Sequence, residues 1–149
     1  MKLRWLVFSI LMMALALSAC QPAQNGPQIT VEGAWGRSSP KVATAGAFYM
    51  VIRNDGTESD KLVSATSSAC GMVELHESYM MDNGAMGMRP VEGGVIEIPA
   101  GGSVELKVGG LHVMCMEKTA DFNPGDSYQL TLVFEKSGEM VIDVEIREQ

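Results

Sequence analysis

The chain lacks any apolar run of the roughly 20 residues that a membrane-spanning helix needs; its longest, residues 5–17, falls short. It is also poor in positive charge, with eleven Lys and Arg against eighteen Asp and Glu. That deficit argues against nucleic acid, which selects basic surfaces, and against peripheral binding to anionic lipid. There is no Ser/His/Asp or Cys/His nucleophile set and no phosphate-cradling glycine loop, so the sequence points to a binding protein and not to an enzyme. The cysteines do not form a Cys-x-x-Cys pair, which argues against a thiol oxidoreductase. No spacing suits the oxygen cage of a hard Ca²⁺ or Mg²⁺ ion. No internal repeat is visible, and a single linker-like stretch leaves room for one domain.

What is present begins with an export leader. Lys2 and Arg4 precede the apolar run, and Leu17-Ser18-Ala19-Cys20 closes it. A charged start, a short apolar centre and small residues at the end describe a cleaved signal. The four closing residues resemble the bacterial lipobox, which implies cleavage before Cys20 and diacylation of its thiol. A dual-acylated cysteine anchors a protein to a membrane without a span. Gln21 stands where an aspartate would resemble an inner-membrane retention signal, so the outer membrane is favoured if the host has one. The expected organisation is a leader over 1–19, a lipidated cysteine and polar tether over 20–27, and one domain over 28–149. Removing the leader takes two basic residues and no acidic one, leaving nine against eighteen and a charge of about −9.

Beyond the tether, short runs of strand-forming residues alternate with turn residues. Strands are expected over 29–35, 47–54, 61–65, 72–76, 95–98, 104–108, 111–116, 128–135 and 140–146. Asn54-Asp55-Gly56 marks a turn, and Lys136-Ser137-Gly138-Glu139 marks a hairpin between the last two runs. No window holds a 3.6-residue apolar period. Eight or nine short strands at this spacing predict an all-β, antiparallel sandwich or barrel.

Nine of the twelve methionines follow the leader, and seven of those nine fall between Met72 and Met116, as do both histidines. His76 sits in an alternating run. Residues 80–90 form a methionine-rich stretch with two glycines, read as a loop. His112 and Met114 are two apart in a strand, so they share a face and can chelate one ion, with Met116 next along. Copper(I) is soft and suits thioether sulfur and imidazole nitrogen. Zinc prefers histidine, cysteine and carboxylate. Methionine has no proton to lose, so only the histidines must be neutral to bind. Met50, Met72 and Met140 are expected to fill the core instead, as methionine commonly does.

These stretches, MVELHES, MGMRPVEGG, IEIPAGGSVELK and GGLHVMCM, together with GAWGR, TAGAFYMVIRNDG and PGDSYQLTLVFEKSG, resemble the periplasmic copper chaperones of the PCuAC family. Their pattern is a histidine, a methionine about eleven residues on, and a His-x-Met pair roughly twenty residues later. The resemblance covers nearly the whole chain after the leader. It implies a cupredoxin-like Greek-key β-sandwich and a Cu(I) ion held by His76, Met88, His112 and Met114. It also implies delivery of copper to the binuclear copper centre of a respiratory oxidase, through an oxidase subunit or another copper chaperone. Met86 lies ten positions after His76 and Met88 twelve, so neither matches the family spacing. Arg89-Pro90 after Met88 favours Met88, and Met86 remains an alternative, as does Met116.

Three other readings compete. A copper scavenging or storage lipoprotein would need no oxidase partner, and a structural lipoprotein would bind no metal. A blue-copper electron carrier needs a cysteine thiolate with two histidines, but Cys115 should point away from the face of His112. With Cys20 acylated, Cys70 and Cys115 are the remaining pair in an oxidising compartment and are expected to form a disulfide beside the metal site. Their parities relative to the histidines differ, so a bend near Cys70-Gly71 is required.

Overall fold

The computed structural model describes residues 25–40 and 42–148. The expected leader and the expected lipidation site, Cys20, lie outside the described residues. Ten strands follow one another: β1 Ile29–Arg37, β2 Ala45–Asn54, β3 Asp60–Thr66, β4 Cys70–Met80, β5 Met86–Pro90, β6 Ile96–Ile98, β7 Gly102–Leu106, β8 Leu111–Lys118, β9 Ser127–Phe134 and β10 Gly138–Arg147. Each expected run is a strand, with its ends moved by a few residues. β5 was not expected: the methionine-rich stretch is the second arm of a hairpin, and only residues 81–85 form its loop.

The hydrogen-bonded order is β5-β4-β8-β2-β1-β10-β9-β3-β6, with β7 also pairing β2. Alternate residues along the strands face inward and meet in one cluster. It includes Phe48 and Ile52 from β2, Val113 from β8, Leu75 from β4, Leu130 and Leu132 from β9, and Val144 and Ile146 from β10. The sheet therefore folds back over its own apolar side, as in a sandwich. Every ladder is antiparallel except one. β1 and β10 run parallel, with Trp35 opposite Glu145 and Arg37 opposite Arg147. The register of β1 on β2 shifts between Glu32 and Trp35. Gly33 takes φ +59° there, a conformation that glycine adopts without strain.

Met50 is 2 % exposed and fills the core as expected, and Met140 packs against it. Met72 does not, being 46 % exposed. It shares parity with Met116, its partner across β4 and β8, so it stands on the side of the sheet away from the core.

Two buried polar residues fix the loops at one end. Asn54 accepts from the backbone N–H of Gln28 at 2.9 Å and of Gly56 at 3.0 Å, and donates to the Glu58 carbonyl at 2.7 Å. Asp60 accepts from the N–H groups of Lys61, Lys136 and Ser137 and from the Ser137 hydroxyl at 2.6 Å. Burial pushes the Asp60 carboxyl up, but the bonds from Ser137, Lys136 and Lys61 outweigh it and hold the group below its ordinary value. A carboxylate lowered by folding stabilises the native state above its unfolded pKa, and that stability is lost as pH falls through the folded value. Asp60→Asn should therefore cost about 2 kcal/mol at neutral pH. It should also flatten the acid limb of stability measured by urea unfolding. An acid limb identical to that of the parent would refute the assignment.

Candidate metal centre

His76 on β4 and His112 on β8 are directly opposed in the ladder, so both side chains project from the same face of the sheet. Val113 and Cys115 take the core side of β8, which makes the histidine face the outer one. Even so, His76 is 8 % exposed and His112 only 1 %. The imidazole centroids are 5.9 Å apart with planes at 67°. Tyr49 stands 6.2 Å from His112, and Trp35 stands 4.7 Å from Tyr49. The row Trp35, Tyr49, His112, His76 thus runs across four strands.

Each imidazole has one nitrogen fixed and one free. The Gly110 carbonyl, 3.0 Å from His112 Nδ1, can only accept. Nδ1 therefore holds the proton and Nε2 presents its lone pair. Glu74 Oε2 lies 2.7 Å from His76 Nε2, which occupies that nitrogen and leaves Nδ1 as the one to face a ligand. His112 Nε2 and His76 Nδ1 are both buried and without a hydrogen-bond partner. A buried acceptor left unsatisfied costs about 1–3 kcal/mol. Two of them on adjacent strands fit a site whose missing partner is a cation. Second-shell bonds of this kind set which nitrogen faces a metal. Burial pushes the His112 imidazole below its ordinary value; the Gly110 bond opposes this and His76 reinforces it. The ring is thus neutral and able to donate.

The methionines surround this pair. Met114 lies one step beyond His112 on the same face, between Ala47 on β2 and Glu74 on β4. Met88 on β5 pairs with Ser78. Met88 and Met114 both line a hollow of about 190 Å³ together with Tyr49, Ala47 and Arg37. Met88 lines this hollow although β4 and β8 lie between β5 and β2 in the sheet. Met86 shares that face but pairs with Met80 at the end of the hairpin and is 52 % exposed. Met116 sits one step past Met114, opposite Met72. Among the described residues no three His, Cys, Asp or Glu side chains cluster as a metal site would require, so a site here must draw on thioethers.

Cys70 and Cys115 are bonded, with Cα atoms 5.4 Å apart. The bond lies on the core side of β8, beneath the histidine face and not beside the candidate ligands on it as expected. A Cβ on Gly71 would come within 2.9 Å of Glu117 Cβ, and Glu117 itself takes φ +52°. With Cys70 and Cys115 bonded to each other, no cysteine among the described residues is left to supply the thiolate of a blue-copper centre. The sequence reading missed Glu74 and Gly110, the residues that orient the imidazoles. Glu74 was within reach, because it stands two positions before His76 in an alternating strand.

Fold and face together define a cupredoxin-like sandwich of the PCuAC class. A family model described as "Putative lipoprotein LpqE-like" matches residues 29–146, and the chain belongs to that family. A putative lipoprotein of Leifsonia xyli subsp. xyli is 31 % identical over 134 residues, 90 % of this chain and 78 % of that protein. An uncharacterised protein of Rickettsia prowazekii is 28 % identical over 80 % of this chain and 61 % of its own length. The apo PCuAC domain from PmoF1 superposes with a TM-score of 0.69 at 26 % identity, covering 83 % of this chain and 100 % of that one. The copper-bound PCuAC domain from PmoF2 gives 0.66 at 26 % identity, over 83 % of this chain and 99 % of that one. Among the described residues no helix is long and apolar enough to cross a membrane.

Proposed function

We propose that this protein is an extracytoplasmic copper chaperone, anchored through a lipid on Cys20, that holds one Cu(I) ion on His76, His112, Met88 and Met114. The observation that carries the reading is the facing pair of buried imidazoles, each with one nitrogen occupied and the other unpartnered. Soft thioethers beside them select Cu(I) over zinc and over Cu(II). The ligands are all neutral, so the bound ion keeps its charge and Glu74 lies close enough to balance it. The copper-bound structural relative supports the same cargo. The domain over 28–149 does the binding, and the stretch before it serves as the tether.

Delivery to the binuclear copper centre of a respiratory oxidase is the purpose that the PCuAC resemblance favours. Scavenging or storage is the alternative, and a transfer assay with the copper-binding oxidase subunit distinguishes the two. The site itself is tested by anaerobic Cu(I) titration with X-ray absorption. The expected result is one tightly held ion per chain with nitrogen and sulfur both in its shell. An all-sulfur or all-nitrogen shell would overturn the ligand set.

A further inference from the structure

Among the described residues, four of the seven large exposed apolar side chains are methionines: Met72, Met80, Met86 and Met88. All four have the parity of the histidine face. Exposed apolar residues are ordinary when scattered, but these occupy one face, and three of them belong to the β4–β5 hairpin. Met80 and Met86 are directly opposed. Met88 is the next residue on that face of β5, opposite Ser78. It is 60 % exposed, so its thioether is accessible from outside while it also lines the hollow with Met114. On the other side of the hairpin, Tyr79 covers Gly87, where a Cβ would lie 2.8 Å from the ring. The Arg89 guanidinium lies 4.8 Å over that ring and pairs with Glu77 at 2.8 Å. β5 is thereby clamped to β4 and presents its methionines from a firm base.

We infer that Met80, Met86 and Met88 form a second, weaker Cu(I) site at the hairpin end, through which copper passes between a partner and the histidine pair. This deepens the proposed chaperone function and rests on it. Thioethers alone bind Cu(I) without the stronger imidazole bonds, so the site exchanges its ion readily. Met88 is shared. One Cu–S bond to it persists while the bonds to Met80 and Met86 are replaced by bonds to His76, His112 and Met114. The ion stays Cu(I) throughout, and no electron or proton is transferred. The arrangement also gives Met86 a role that the holding site leaves open.

The test uses the full chain carrying His76→Ala and His112→Ala, with methyl-labelled methionine and Ag(I) as a redox-inert stand-in for Cu(I). The methyl signals of Met80, Met86 and Met88 should shift together on titration. Adding Met80→Leu and Met86→Leu should abolish the shift at Met88, whereas adding Met72→Leu should preserve the response. Silent Met80 and Met86 methyls would overturn the second site. Because this measurement is made without the histidines, its result does not depend on whether the histidine pair binds. In the chain with both histidines, Met80→Leu/Met86→Leu should slow Cu(I) handover to a chelator by about tenfold, equivalent to about 1.4 kcal/mol of barrier. An unchanged rate would overturn the relay.

Discussion

His112→Ala should weaken Cu(I) binding at least about a hundredfold, beyond the 10–100-fold that loss of an outer-shell partner typically costs. His112 is the most enclosed of the four proposed ligands, and its free nitrogen has nothing else to bond. Its orientation is preset by the Gly110 carbonyl, so the parent spends little ordering it on binding. Met114→Leu keeps the volume but removes the sulfur and should cost about tenfold, or about 1.4 kcal/mol. Met88→Leu should cost more than Met86→Leu, because Met88 and not Met86 lines the hollow with Met114. Met50→Leu alters a buried residue of the core and should leave affinity unchanged. Competition against a Cu(I) chelator of known affinity measures all five. Parent-like binding by the His112 and Met114 variants would dismiss the site.

Breaking the Cys70–Cys115 bond should lower stability by about 4 kcal/mol in the chain-entropy model, since the two residues are 45 apart in sequence. The bond ties the start of β4 to the middle of β8, the two strands that bring His76 and His112 together. A Cys70→Ser/Cys115→Ser variant should therefore unfold at clearly lower urea concentration. Its Cu(I) affinity should fall less than that of His112→Ala, because the ladder between β4 and β8 runs on past the bond to Glu77 and Leu111. An unchanged urea midpoint would show that the bond does not constrain the unfolded chain as argued.

The strands with one buried face were legible in the sequence because burial imposes a two-residue period on them. β9 and β10 are the clearest instance. β5 left no such trace: none of its five residues is buried, so nothing forced an alternation, and Gly87 and Pro90 read as loop punctuation. The parallel pairing of β1 with β10 was equally hidden, because its partners lie at opposite ends of the sequence and no local pattern encodes their register. At the site, parity alone placed His112 and Met114 on one face. That His76 stands opposite His112 depends on the register of β4 on β8, which only the folded chain sets. The parity of the two cysteines called for an irregularity near Cys70-Gly71; the residue with the unusual backbone is instead Glu117 on β8, at φ +52°, which parity could not place.

The parallel pair of β1 and β10 also governs when this protein can fold. The first strand cannot complete its pairing until the last one arrives, for Gly36 waits on Ile146 and Ser38 on the Arg147 carbonyl. A chain threaded through a membrane from its amino end would present β1, β2 and the histidine strands while β10 was still behind the translocon. Long-range pairing of this kind is slow, and the unpaired edge of β1 would be open to other chains in the meantime. Closure therefore comes last: the sandwich is complete only once the final strand has joined the first.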